Sequence, residues 1–155
     1  MNQEPSFHIV LVEPEIPQNS GNIGRLALGL GARLHLVHPL GFSLDEKAVR
    51  RAGLDYWKHV DLQEHQSLRA FFEWAEGRPL YLFSTKASCS YRKAHFERGA
   101  LLLFGPESRG LPQECIQRHG AYRIPMSNSI RSLNLSNAVA VASYEVCAQL
   151  HPELF

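Results

Sequence analysis

The chain of 155 residues has the composition of an ordinary globular protein, with 45% hydrophobic and 20% charged residues. This length fits one domain with a core that needs no disulfides. Sixteen basic and fifteen acidic residues give a net charge of +1, which neither indicates nor excludes a nucleic-acid partner. No apolar run approaches the ~20 residues of a membrane-spanning helix, and the opening MNQEPS lacks the features of a signal peptide. Three cysteines without a CxxC pair favour a reducing cytoplasm over a disulfide framework or a zinc site.

Strands and helices alternate through the first half of the sequence. An apolar, β-branched run predicts a buried first strand, and apolar positions at helical spacing follow it until Gly31 ends the helix. Asn19 and Ser20 are predicted to cap that helix. The first strand is predicted at Phe7–Val12. The patterns after the first helix predict strands at Leu34–Val37 and near His59–Leu62, and helices at Asp45–Ala52 and Leu68–Trp74.

The second half continues the alternation. The predicted elements are strands at Leu80–Phe83, Ala100–Phe104 and Tyr122–Ile124, and helices at Pro112–Arg118, with proline in the first turn, and at Leu133–Leu150. Alternating strands and helices indicate an α/β fold: a mainly parallel sheet with helices on both faces, formed by residues 1–155 as a single domain. Ligands of such sheets bind beyond the carboxyl ends of the strands.

Several familiar motifs are absent. The glycines ending at Gly31 do not form GxGxxG, because Leu34 stands at the third glycine position and the cluster ends a helix instead of opening one. GxxxxGK[ST], GxSxG and HExxH do not occur. His35 and His38 have no acidic or cysteine partner nearby, so no metal site is predicted. The basic stretch from Lys86 to Arg98 suits a solvated loop and a nucleic-acid contact equally well.

Three loop segments at predicted strand ends carry the functional signal. They read PQNSGNIGR at 17–25, LFGPESRGLP at 103–112, and IPM at 124–126 followed by SIRSLNLSNA at 129–138. Together, in this order and at these separations, they resemble the three signature motifs of the SPOUT RNA methyltransferases. RAGLDY at 51–56 and STK at 84–86 look most like the small tRNA (cytidine/uridine) 2′-O-methyltransferases that act at the wobble position.

The resemblance implies a fold and an activity that composition does not supply. It implies a deep trefoil knot in the C-terminal part of the chain, a rare exception to unknotted topology, and a cytoplasmic homodimer. The implied reaction transfers a methyl group from S-adenosyl-L-methionine to the ribose of the wobble nucleotide, cytidine or modified uridine, in the anticodon stem-loop of tRNA. Leucine isoacceptors are the expected substrates, and neither a membrane nor a metal ion is an expected partner.

Roles carry over by position from the same resemblance. The catalytic set is Arg25, Asn19, Glu107, Ser132 and Asn134. The cofactor-binding set is Phe83, Thr85, Gly105, Glu107, Ile124, Met126, Ser132 and Leu133. The RNA-binding set is Arg25, Lys86, Arg109 and Arg131.

Some of these residues also have roles that chemistry alone suggests. The missing Cβ of Gly105 would let the adenosine approach the backbone. Glu107 is expected to hold Arg25 or an asparagine, or else to favour a nearby helix start. Ser132 and Asn134 also suit the capping of the last helix.

The mechanism centres on Arg25. Arginine titrates above ~12, so a literal base near pH 8 would need a pKa shift of about five units, or about 7 kcal/mol. The alternative is that the positive charge of Arg25 stabilises the developing alkoxide while a phosphate oxygen or water takes the proton.

Other interpretations stay open. The same chemistry could act on rRNA or at another tRNA position, although rRNA relatives usually carry an extra N-terminal domain and the first strand here is predicted at Phe7. A non-catalytic RNA- or adenosine-binding module would have no need for the complete catalytic set. The last helix is apolar nearly all round, which predicts burial on several sides, in a dimer interface or in the core.

Overall fold

The computed structural model describes residues 3–45, 47, 51 and 54–155. The strands are β1 (Phe7–Val12), β2 (Arg33–Val37), β3 (Leu62–His65), β4 (Leu80–Leu82), β5 (Cys89–Ser90), β6 (Ala100–Phe104) and β7 (Tyr122–Arg123). The helices are α1 (Pro17–Leu30), α2 (Leu68–Trp74), α3 (Gln113–His119) and α4 (Leu135–Leu150), with 3₁₀ turns at Leu54–His59, Tyr91–Lys93 and Pro152–Leu154. Most of the helix predicted at Asp45–Ala52, and two residues of RAGLDY, lie outside the described residues.

The main sheet is parallel throughout its described strands. Its order is β3-β2-β1-β6-β4, and β5 pairs separately with β7. β1 lies at the centre, with Ile9 opposite Leu34 of β2 on one side and Leu102 of β6 on the other. All six residues of β1 are buried, as expected for a strand covered on both faces. The predicted mainly parallel α/β sheet is therefore confirmed.

Helices cover both faces of this sheet. Because side chains alternate along a strand, Ile9 and Leu11 of β1 face one core while Val10 and Val12 face the other. The first core is completed by α1 and α4, through residues such as Ile23 and Val139. The second core is completed by α2 and α3. The carboxyl edge of the sheet, where its loops begin, is therefore flanked by helices of both faces.

Several predicted boundaries need correction. α1 begins at Pro17 with Ile16 as its N-cap, so the prediction that Asn19 and Ser20 cap this helix is wrong; both lie inside it and are buried. Its predicted end is confirmed, since Gly31 adopts the left-handed conformation at φ 68°. The strand predicted near His59–Leu62 is present but shifted, because a 3₁₀ turn ends at His59 and β3 begins at Leu62.

The later helices begin slightly after their predicted starts. Pro112 is the N-cap of α3 and not part of its first turn. α4 begins at Leu135, and the Asn134 side chain caps it by accepting hydrogen bonds from the backbone N–H groups of Ser136 and Asn137. The predicted capping role of Asn134 is therefore confirmed, whereas Ser132 lies before the cap.

The burial of α4 is one-sided within this chain. Val139, Ala142 and Val146 are fully buried, whereas Val141 is 38% and Tyr144 50% exposed. Of the two predicted ways to bury this helix, a position deep in the core is therefore wrong, and burial in a dimer interface stays a prediction. Among the residues that the structure describes, no helix has the length and apolar character needed to span a membrane.

A chain of three histidines lies beneath the sheet, on the α2 side. His8 Nδ1 and His35 Nε2 are 2.8 Å apart, and His35 Nδ1 and His65 Nε2 are 2.9 Å apart. The Trp74 ring lies against all three histidine rings, at centroid distances of 4.9–6.1 Å. Burial lowers the pKa of His8 from 6.5 to about 4 and also lowers the pKa of His35 and of His65. The rings are therefore neutral, and each can donate from one nitrogen and accept at the other.

Candidate active site at the carboxyl edge of the sheet

Loops that follow β1, β4, β6 and β7 meet at one edge of the sheet. The Phe83 ring stacks on Phe104 at a centroid distance of 4.8 Å, joining the ends of β4 and β6. The Ser84 N–H donates to the Tyr122 carbonyl at 3.0 Å, and the Arg123 guanidinium donates to the Thr85 carbonyl. This is the edge at which parallel α/β sheets bind their ligands.

Glu107, in the loop after β6, caps α1 from across the edge. Its carboxylate accepts hydrogen bonds from the backbone N–H groups of Glu15 and Ile16, both at 2.8 Å. It also accepts one from Asn19 Nδ2 at 3.2 Å. The N-cap residue Ile16 offers no side-chain acceptor; Glu107 instead binds the N–H groups of Ile16 and of the residue before it, and places a negative charge near the positive end of the helix.

This geometry decides between the roles expected for Glu107. The expectation that it holds an asparagine is confirmed, because Asn19 Nδ2 donates to its carboxylate. It forms no hydrogen bond or ion pair with Arg25 among the described residues.

The loop after β1 reciprocates. The Glu15 carboxylate accepts hydrogen bonds from the Ser108 N–H at 2.7 Å and the Ser108 hydroxyl at 2.9 Å. These two hydrogen bonds, together with the charge of Arg109, hold the pKa of Glu15 below its usual value. Arg109 in turn pairs with Glu13 at 3.1 Å. We call the six residues joined in this way the loop clamp: Glu13, Glu15, Asn19, Glu107, Ser108 and Arg109. Sequence reasoning missed Glu13, Glu15 and Ser108, because the only local signal is a pair of acidic residues before a helix.

Gly105 has a packing reason to be glycine. A Cβ at this position would collide with the Gly110 carbonyl carbon and the Leu111 nitrogen of the same loop. Gly110 itself adopts φ 70°, which favours glycine. The loop is therefore folded tightly on itself, with Glu107 at its turn.

The expected cofactor-binding residues surround the same edge in different ways. The Phe83 side chain is buried in the core, so this residue faces the loops through its main chain. Ile124, Met126 and Leu133 are half-buried apolar side chains beside the loop that follows β7. Within the described residues, the main chain of 125–133 forms no hydrogen bond to the main chain of another segment. The Ser129 N–H donates to the Ser127 hydroxyl at 3.3 Å, and other main-chain groups of this segment stay available beside the apolar side chains.

The remaining predicted residues are not brought together within one chain. Arg25 is exposed on α1, and its guanidinium carbon lies 5.0 Å from the centre of the Tyr56 ring. Ser132, Lys86 and Arg131 are exposed as well. In the described part of the chain, Arg25, Ser132 and Asn134 make no hydrogen bond or ion pair with the loop clamp.

The histidine chain offers no metal centre. No group of three His, Cys, Asp or Glu side chains in the described residues is arranged to hold a metal ion. His38 instead pairs with Glu64 on the surface, at 2.8 Å.

Comparison with known proteins identifies the family. Residues 6–144 match the model of the SpoU rRNA Methylase family, and the chain belongs to this family. It is 46% identical to a tRNA (cytidine(34)-2′-O)-methyltransferase of Methylovorus glucosotrophus, over 92% of this chain and 95% of the relative. It is 45% identical to the enzyme of the same name from Escherichia coli K12, over 93% and 94% of the two chains.

Solved structures agree with this assignment. A structure described as giving insights into the 2-OH methylation of C/U34 on tRNA superposes with a TM-score of 0.92 at 50% identity, covering 96% of this chain and 98% of that one. The SpoU methyltransferase AviRb from Streptomyces viridochromogenes, solved with AdoMet, gives a TM-score of 0.83 at 25% identity over 96% of this chain and 60% of that one. The overall α/β architecture is therefore that of the SpoU methyltransferases.

Proposed function

We propose that this protein is a tRNA 2′-O-methyltransferase that methylates the ribose of nucleotide 34, a cytidine or a modified uridine, with S-adenosyl-L-methionine as donor. The observation that carries this proposal is the near full-length similarity to relatives named for that reaction, at 46% identity over 95% of one of them. Leucine isoacceptors are the proposed substrates.

The residues at the carboxyl edge fit this cofactor. S-adenosyl-L-methionine supplies a methyl group already activated on a sulfonium. Adenine binding calls for apolar walls with donors and acceptors beside them, and the main chain of 125–133, which bonds to no other main-chain segment, would offer both next to Ile124, Met126 and Leu133. Phe83, Thr85, Gly105 and Glu107 would border the cofactor from the loops after β4 and β6, and Ser132 from the start of α4.

The protein's main task is alignment. Holding donor and acceptor in line can lower a barrier by roughly 7–11 kcal/mol. The loop clamp fixes the start of α1 against the loop after β6, because Glu107 holds two main-chain N–H groups and Asn19 together. Asn19 and Glu107 would thus set the site's geometry, while Ser132 and Asn134 would orient substrate groups at the start of α4.

Arg25 would stabilise the alkoxide that develops on the ribose oxygen, with a phosphate oxygen or water taking the proton. The Arg25→Lys variant tests this role. If charge alone suffices, Arg25→Lys should keep at least about a tenth of the wild-type kcat. Near-complete loss of turnover with unchanged cofactor binding would point to the guanidinium fork or to base chemistry.

RNA would approach across the exposed cations. Arg109, Arg131 and Lys86 all lie exposed in loops around the edge, where they can meet backbone phosphates of the anticodon stem-loop. Arg25 would meet the target nucleotide itself.

A cytoplasmic homodimer of this single-domain chain completes the proposal. The exposed Val141 and Tyr144 of α4 support association, as does the lack of any hydrogen bond or ion pair between Arg25 and the loop clamp among the described residues. A trefoil knot is supported by the path after β6, which runs from α3 on one face past the Thr85–Arg123 contact to α4 on the other.

The decisive experiment incubates the purified protein with deuterium-methyl-labelled cofactor and total tRNA from a strain lacking this modification. Digestion and mass spectrometry should find labelled 2′-O-methylcytidine, or a 2′-O-methyluridine derivative, from the anticodon loop. Label found only in rRNA, in a parallel reaction, would support the second candidate that the family's name suggests. Cofactor binding without methyl transfer to any RNA would indicate that the protein is a non-catalytic binding module.

A further inference from the structure

Tyr56 and Trp57 lie on the 3₁₀ turn that packs against α1 beside Arg25. Gly24 is buried, and a Cβ there would lie 2.5 Å from Cζ3 and 2.8 Å from Cε3 of the Trp57 ring. The indole therefore rests directly on the backbone of α1, and its other contacts join the core beneath α1. This packing fixes the 3₁₀ turn relative to α1 at the level of Arg25.

The neighbouring residue uses that fixed position. The Tyr56 ring lies under the Arg25 guanidinium, with 5.0 Å between the guanidinium carbon and the ring centroid. That distance is within the range of a cation–π interaction. Tyr56 is 42% exposed, so the pair lies at the surface, where a long arginine side chain otherwise samples many rotamers.

The kind of contact matters for the chemistry. Among the described residues no carboxylate forms an ion pair with Arg25; its guanidinium meets an aromatic ring. A carboxylate would restrain the side chain but also neutralise it, whereas a ring restrains it and leaves the full positive charge facing outward.

We propose that Tyr56 is a positioning residue for methyl transfer: its ring, fixed by Trp57 packed on Gly24, holds Arg25 in the rotamer that meets the ribose oxygen. This inference rests on the proposed function. It adds Tyr56 to the residues proposed for the reaction, although the ring itself touches no reacting atom.

Three variants test it. Tyr56→Leu removes the ring, Tyr56→Phe keeps it as the matched control, and Gly24→Ala displaces Trp57. Wild-type transfer to tRNA is measured first, so failure of the proposed function is seen separately from failure of this inference. Circular dichroism and cofactor titration then establish that each variant folds and binds the donor.

The expected result is a selective loss of kcat. Tyr56→Leu should lower kcat about three- to tenfold with an unchanged KM for tRNA, Tyr56→Phe should stay within about twofold of wild type, and Gly24→Ala should resemble Tyr56→Leu. A raised KM with unchanged kcat would overturn the proposal by showing that Tyr56 contacts RNA directly. Wild-type kinetics in Tyr56→Leu would overturn it too.

A spectroscopic measurement is independent of activity. The Arg25 Nε–H proton should show a ring-current shift in the wild type and in Tyr56→Phe that disappears in Tyr56→Leu. If the signal is the same in all three proteins, the ring does not hold the guanidinium and the inference fails.

Discussion

Two polar networks in this molecule solve opposite problems. The loop clamp lies at the open edge of the sheet and is centred on charged groups, with Glu107 and Glu15 accepting main-chain hydrogen bonds across loops distant in sequence. The histidine chain lies inside the core and is made of neutral rings linked at 2.8 and 2.9 Å. Solvent at the edge tolerates carboxylates, whereas the interior lowers the pKa of its histidines until they lose their charge.

The contrast also concerns what each network supports. The loop clamp orders the segments that would meet cofactor and RNA. The histidine chain ties β1, β2 and β3 together under α2, away from the residues proposed for chemistry. Breaking the first should therefore cost activity, and breaking the second should cost stability.

The largest effect is expected for Glu107→Ala. Three hydrogen bonds to a charged acceptor are lost, which frees the start of α1, so kcat/KM for tRNA should fall about 100-fold. Steady-state kinetics check this. Glu73→Ala, which alters an exposed pair with Arg69, is the matched control and should leave kcat/KM unchanged. A decrease of less than threefold in Glu107→Ala would show that the clamp is not needed.

The second effect concerns stability. His35→Leu removes the middle ring and leaves the facing nitrogens of His8 and His65 without partners, so the free energy of unfolding should fall by about 2–4 kcal/mol. Denaturant titration measures it, and kcat at 25 °C should be unchanged. His38→Ala, at a surface pair with Glu64, should change stability by less than about 1 kcal/mol. An equal loss of stability in His35→Leu and His38→Ala would contradict a special role for the histidine chain.

The third prediction is a pH dependence. The pKa of His8 is about 4 when folded and 6.5 when unfolded, so the unfolded state binds the proton more readily. Stability is therefore complete above pH 6.5 and falls between pH 6.5 and 4, by about 1.4 kcal/mol per pH unit for each histidine that protonates on unfolding. Urea titrations at a series of pH values check the slope, which should be shallower in His35→Leu. A flat profile between pH 7 and 5 would contradict neutral buried rings.

The smallest effect on folding is expected for Arg109→Ala. Its ion pair with Glu13 is exposed, so the free energy of unfolding should change by less than about 1 kcal/mol. The KM for tRNA should rise a few-fold, and the dependence of RNA binding on log salt should lose about one unit of slope. An unchanged KM and slope would remove Arg109 from the proposed RNA surface.

The sequence predicts elements whose signal is local. β1, α2 and β6 have the predicted bounds because continuous apolar runs and helical spacing determine them. The cap of α1 was assigned wrongly because its acceptor, Glu107, is 91 residues away from Ile16 and no local pattern reveals it. The sequence does not predict the histidine chain for the same reason, since its three members lie on separate strands.

The site shows the same division. The three loop segments were found by their resemblance to a family, and the structure joins Asn19 to Glu107 as expected. The partner of Arg25 was not foreseen, because a ring under a guanidinium depends on how Trp57 packs on Gly24. The roles of Ser132, Arg131 and Lys86 stay predictions.

The capping of α1 by Glu107 has a consequence for biosynthesis. A ribosome makes β1 and α1 first, and the acceptor for the N–H groups of Glu15 and Ile16 follows only 91–92 residues later. The same delay applies to β6, the central strand's neighbour. A nascent chain that has not yet exposed residue 107 therefore carries an unfinished edge, which is completed only when the second half of the protein has been translated.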